Sequence, residues 1–177
     1  MEKKTREEHE RPRDFIWVHG CALLTEASAT TITRLETAAS ISPASFATLS
    51  YPHFIQVTVP VPSILDNRHV HVVKAFLRFR TGDSAQITQI RLYDAETLFA
   101  AFSGPFKSNH YRDLALGIKH PHRVHHGVAF SIEVSFHERP GPRENWVEIA
   151  SAGVELVRDE CIPREFHHPA DQEVEER

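Results

Sequence analysis

Residues 128 to 136 alternate without a break. Val128, Phe130, Ile132, Val134 and Phe136 are apolar, and Ala129, Ser131, Glu133 and Ser135 between them are small or polar. Side chains two apart share a face only in an extended strand; a helix would scatter them around its circumference. The same period recurs along the chain. Val73, Ala75, Leu77 and Phe79 alternate with Lys74, Phe76, Arg78 and Arg80. Ile55, Val57 and Val59 alternate with Phe54, Gln56 and Thr58, and Thr88, Ile90 and Leu92 with Gln89, Arg91 and Tyr93. Val147 and Ile149, then Val154 and Leu156, read as a closing strand interrupted by a bulge at Ser151-Ala152-Gly153. Phe15 to His19 and Ala22 to Thr25 read as an opening hairpin around Gly20.

Turn residues separate these runs: Pro60-Val61-Pro62-Ser63, Asp66-Asn67, Thr81-Gly82-Asp83-Ser84 and Arg139-Pro140-Gly141-Pro142-Arg143. Strands at this spacing, with no long helical pattern between them, predict an all-β fold of about eight strands. An antiparallel β-sandwich or flattened, jelly-roll-like barrel fits. The 177 residues suffice for one such domain and its core. The domain is expected over residues 14–157. Residues 1–13 are nearly all charged and predict a disordered lead. Residues 158–177 carry seven acidic side chains with Pro163 and Pro169, which predicts an acidic tail.

Two segments fit the strand pattern poorly. Residues 27–50 are rich in Ala, Ser and Thr, and read as a long loop or lid with a short helix near Thr33–Ala39. Residues 106–119 read either as a helical turn or as a strand through Leu114, Leu116 and Ile118.

Composition narrows function by exclusion. A net charge of −4 lacks the basic footprint of a nucleic-acid binder. Two cysteines make neither a disulfide framework nor a four-thiolate zinc site. The hydrophilic start and the want of a long apolar run predict a soluble cytoplasmic protein with no membrane partner. Seven glycines, none in a phosphate-cradling pattern, argue against nucleotide chemistry, and no cofactor is expected.

Several short motifs together resemble a family of small bacterial and fungal proteins of unknown function. Trp17-Val18-His19-Gly20 is similar to its opening W-V-H-G signature. Phe54 to Leu65 resembles its paired I-P-x-P segment. Ile90-Arg91-Leu92-Tyr93-Asp94 resembles a strand end written V-x-V-Y-D-G, with Ala95 in the place of glycine. Ser151-Ala152-Gly153 resembles its closing S-A-G. The resemblance spans roughly residues 15 to 157. It implies a β-sandwich and no particular chemistry, and residues 27–50 are longer than the family's loop.

Thirteen histidines stand out. His69 and His71 share a strand face, and His120, His122, His125 and His126 cluster in one short segment. A third histidine with Asp94 or Glu133 would make a cupin-like, His-ligated metal enzyme, one alternative reading. The leading expectation needs no metal. His71, Tyr93, Asp94 and Glu133 are the candidate catalytic groups of a cofactor-independent cyclase or isomerase. Phe76, Arg78, Arg91, Phe99 and Phe102 would bind a small, largely apolar metabolite in a sandwich pocket. The competing view of Glu133 is an ordinary cross-strand charge pair with Arg78 or Arg91. The other alternative is a non-catalytic binding module or homodimer, with Phe76 and Phe99 to Phe106 covered by a second copy.

Overall fold

The computed structural model describes residues 13–25, 30–45, 52–137 and 144–159. Among the described residues twelve strands run in chain order: β1 (Asp14–His19), β2 (Leu24–Thr25), β3 (Thr30–Arg34), β4 (Ala39–Pro43), β5 (His53–Val59), β6 (Ile64–Leu65), β7 (Arg68–Thr81), β8 (Ala85–Asp94), β9 (Thr97–Phe106), β10 (Arg112–Arg123), β11 (Val128–Phe136) and β12 (Val147–Arg158). They build two antiparallel sheets, and the described strands close no barrel. The front sheet runs β10-β7-β12-β4-β3, with β1 also on β12 and β6 on β7. The back sheet runs β2-β5-β11-β8-β9.

The alternation seen in the sequence fills the space between the sheets. Ala75, Leu77 and Phe79 of β7 and Ile149, Ala152, Val154 and Leu156 of β12 face inward from the front. Ile55, Val57 and Val59 of β5, Ile87, Ile90 and Leu92 of β8 and the apolar residues of β11 meet them from the back, all in one cluster. Burying each Val, Leu, Ile or Phe side chain among these contributes about 1.5–3 kcal/mol. The turns follow residue chemistry as well. Leu65 pairs with Arg68 across Asp66 and Asn67, whose φ angles of 52° and 60° make the two-residue turn that suits twisted strands.

The opening hairpin does not form. β1 pairs with β12 in the front sheet and β2 with β5 in the back sheet. Between them Gly20–Ala22 make a 3₁₀ turn, capped by His19, whose Nδ1 accepts from the Cys21 N–H at 3.2 Å. The turn carries the chain from one sheet to the other instead of folding it back. Residues 30–45 of the expected lid form the β3–β4 pair at the edge of the front sheet, with no helix at Thr33–Ala39. Thr-Ile-Thr is a β-branched run, which favours strand over helix. The ambiguous 106–119 segment resolves as a strand, β10, bulged between Gly117 and His122. The expected lead and all but Arg158 and Asp159 of the expected tail lie outside the described residues, apart from Arg13.

Ala95, in the turn between β8 and β9, has a φ of 50°. An L-residue there sets its Cβ against the following carbonyl, and glycine does not. Ala95→Gly is therefore expected to stabilise the fold by roughly 0.5–1 kcal/mol. Urea unfolding checks it: a midpoint equal to or below wild type would contradict the strain.

Candidate functional site

The outer face of the front sheet is built in rows set by strand register. In one row Ala115 of β10, Phe76 of β7, Gly153 of β12 and Trp17 of β1 lie side by side. The next holds Asp113, Arg78, Ser151 and His19, and on the other flank stand Gly117, Lys74, Glu155 and Phe15. Phe15 and Trp17 alternate with the inward Ile16 and Val18, so strand geometry alone turns both rings outward. Phe15 is 52% exposed and Trp17 48%, far more than rings of this size normally leave in water. The Trp17 ring is seated on Gly153, where any Cβ would come within 2.6 Å of it. Its centroid stands 5.3 Å from that of Phe76, and Phe15 stands 6.0 Å from Phe76. The three rings form one apolar cluster in the middle of a polar face.

Charged pairs surround the cluster. Glu155 takes Arg13 at 2.8 Å on one oxygen and Lys74 at 3.2 Å on the other. The Arg78 guanidinium meets both oxygens of Asp113, at 2.9 and 3.0 Å. Farther along β7, Arg80 is bound to Glu148 and lies over the rings of Tyr111 and Trp146, at 4.8 and 5.2 Å from their centroids. The hydrogen bond and charge of Glu148 raise the Arg80 pKa, so the cation is fixed. Burial, with the Glu148 hydrogen bond and charge, raises the Tyr111 pKa. Its hydroxyl therefore stays neutral and donates to Glu148 at 3.0 Å.

The nine residues expected to form one site are scattered over both sheets and the rim. Phe76 and Arg78 stand on this face. Arg91, Tyr93 and Glu133 share the outer face of the back sheet, where Arg91 and Glu133 are 3.8 Å apart and the Thr88 hydroxyl reaches the Glu133 carboxylate at 2.9 Å. Glu133 thus makes the cross-strand pair with Arg91; Arg78 belongs to the other sheet. His71 is buried in the front sheet, 3.2 Å from Asp159, so it shares no face with Arg91. Phe99 and Phe102 of β9 pack against the core, and Phe99 stacks on His122 at 4.1 Å.

Asp94 stands at the rim, where β10 crosses to β11. Its carboxylate accepts from the backbone N–H groups of His125, His126 and Gly127 at 2.7, 2.8 and 3.2 Å, and lies 3.1 Å from Nε2 of His122. Burial by itself would raise its pKa, but these hydrogen bonds together outweigh burial and lower it. A general acid needs the opposite shift. The geometry gives Asp94 the work of holding a loop. The histidine cluster also fails to converge: the rings of His122 and His125 are 6.5 Å apart, and those of His125 and His126 6.4 Å. Among the described residues no group of three or more His, Cys, Asp or Glu side chains is placed to hold a metal ion.

Phe15, Trp17, Tyr111, Glu148 and Trp146 also belong to the front face, and none of them is among the nine expected site residues. The signal available was the alternation of Phe15 and Trp17 with two aliphatic residues, which leaves both rings on the wet side.

No protein-family model matches this chain, and no curated protein does either. Solved structures do resemble it. The low-affinity xylan-binding module CBM86 from Roseburia intestinalis superimposes with a TM-score of 0.50 at 10% identity, over 81% of this chain and 96% of that one. A family 29 carbohydrate-binding module from Piromyces equi gives 0.46 at 8% identity, over 88% and 99%. TmCBM61, solved with β-1,4-galactotriose, gives 0.44 at 11%, over 81% and 88%. At such identities the likeness to the xylan-binding module is one of fold, a two-sheet β-sandwich.

Proposed function

We propose that the outer face of the front sheet binds a carbohydrate, and that the domain is a binding module. The cluster of exposed Trp17 and Phe15 with half-buried Phe76, set among paired charged groups, carries this reading. A sugar ring has a face of C–H groups and an edge of hydroxyls. The negative face of an aromatic ring attracts the first, and side chains that donate and accept together suit the second. The fold shared with a module named for binding xylan supports the same reading. Interior chemistry on an apolar metabolite, as a cyclase or isomerase would need, has no such support. Its expected residues lie on two sheets and a rim, and the space between the sheets is filled by Phe79, Phe130, Ile132, Leu77 and their neighbours.

The test is affinity electrophoresis of the full chain through gels containing xylan, β-glucan or β-1,4-galactan. Wild type is expected to be retarded by at least one of these. Trp17→Ala should weaken that binding roughly tenfold or more, about 1.4 kcal/mol or above, while melting only a few degrees lower. Migration unaffected by every polysaccharide would overturn the proposal. A dimer on gel filtration, lost in Trp17→Ala, would instead assign the three rings to contact with a second copy.

A further inference from the structure

The aromatic cluster covers β12 but leaves the strip between β7 and the edge strand β10 bare. In that strip Ala115 stands opposite Phe76 and Gly117 opposite Lys74, and both are exposed. A Cβ built on Gly117 meets nothing within 4 Å. By contrast, one built on Gly153 collides with Trp17. The two glycines therefore do different work: one seats a ring, the other keeps a floor low. Phe76 forms the wall on one side, and the strip ends at the Arg78–Asp113 pair and Tyr111. From the Lys74 row to the Arg78 row the strand covers about 13 Å, longer than a single sugar ring.

Charge along the strip is nearly balanced, with Glu155 shared between Lys74 and Arg13. Lys74, Arg78 and Arg80 are the cations that β7 turns to this face, and each has a carboxylate partner, Glu155, Asp113 and Glu148 respectively. A polyanion is held by cations that it alone neutralises; here the neutralising groups are already built in. What remains on offer is hydrogen bonding. The Arg78–Asp113 pair, both partners open to water, presents donors and acceptors next to each other.

From this geometry we infer that the ligand of the front face is an uncharged, extended glycan, and that its chain lies along the β7–β10 strip over a floor made by Ala115 and Gly117. The inference rests on the carbohydrate reading above and adds the path and the class of ligand. Filling the floor should block the path without disturbing the fold, because the Gly117 position is open.

The experiment measures binding of the full-length protein to xylan, β-glucan, β-1,4-galactan and polygalacturonate at low and high salt. Wild type, Gly117→Leu, Gly117→Ser and Ala115→Leu are compared, each with its melting temperature. The expected result is binding to a neutral polysaccharide that salt leaves unchanged. Gly117→Leu and Ala115→Leu should weaken it at least about tenfold, and Gly117→Ser less than about threefold, all melting close to wild type. Ala115→Leu keeps the test decisive should the first variant fold poorly. Full binding by both leucine variants would overturn the path and leave the carbohydrate reading standing. Binding confined to polygalacturonate and lost in salt would overturn the neutral class. Binding to none of the four would remove the carbohydrate reading and this inference with it.

Discussion

Gly20→Ala is expected to lower the stability of the fold by roughly 3–4 kcal/mol and its melting temperature by about 10 °C. Gly20 is buried at the turn that carries the chain from the front sheet to the back. A Cβ there would stand 1.8 Å from the carbonyl oxygen of Ile149 and 3.1 Å from that of Ala150. Both obstacles are backbone, and Ile149 is a fully buried core residue, so neither can step aside cheaply. The turn or β12 must move, and moving either disturbs the pairing of β1. Gly117→Ala supplies the internal control. It makes the same chemical change where the new methyl meets nothing, and should stay within about 0.5 kcal/mol of wild type. Equal melting temperatures for the two variants would show that the Gly20 turn yields freely.

Asp94→Ala strikes the other end of the sandwich and is expected to cost about 3–5 kcal/mol at neutral pH. The lost carboxylate leaves three backbone N–H groups of the β10–β11 crossing, at His125, His126 and Gly127, without their acceptor. Each stranded donor costs roughly 1–3 kcal/mol where water does not reach it, and partial hydration of an exposed loop keeps the sum below the full total. Asp94→Asn should cost less, since the amide oxygen can still accept. The effect depends on pH in a defined direction. The folded-state pKa of Asp94 lies below its ordinary value, so the stabilisation is complete above the unfolded pKa of about 3.9. It is lost as pH falls through the lower, folded value. Urea midpoints should therefore differ widely between wild type and Asp94→Ala at pH 7. The gap should narrow as the solution is acidified below about pH 4. A constant gap down to the acid limit would mean that the charge on Asp94 does not matter.

Both variants act where strands change sheets, which is also where the sequence was hardest to read. Within a strand the alternation of β5 and β11 was legible residue by residue, because burial on one face imposes it. It failed at bulges. The alternation groups Thr88 with Ile90 and Leu92, but register shifts on both sides of β8 push it out of the core, where its hydroxyl meets Glu133. The hairpin expected at Gly20 failed for a different reason. A glycine between two short strands signals a turn, and nothing local says whether the chain returns to the same sheet. That choice was made by β12, remote in sequence. The short motifs gain a physical meaning in the same place. Trp17, Val18 and His19 pair one to one with Gly153, Ala152 and Ser151, so the two motifs are the two sides of a single ladder. The candidate site was half legible. Phe76 and Arg78 were marked by alternation, but their partners Trp17 and Asp113 arrive through register, which one chain read alone does not reveal.

The pairing of β1 with β12 has a mechanical consequence. Asp14 lies opposite Leu156 and His19 opposite Ser151, so the described chain enters and leaves the domain at the same end. Tension applied through those two ends would not shear the ladder, which would load all its backbone hydrogen bonds at once. It would peel β1 away one bond after another, starting where Arg158 holds Asp14 at 3.3 Å and Arg13 holds Glu155. Peeling strips Phe15 and then Trp17 from the front face before it reaches the turn at Gly20. Stretching would then take away the rings that pack against Phe76, the wall of the proposed glycan path, so a pull on the ends would weaken ligand capture.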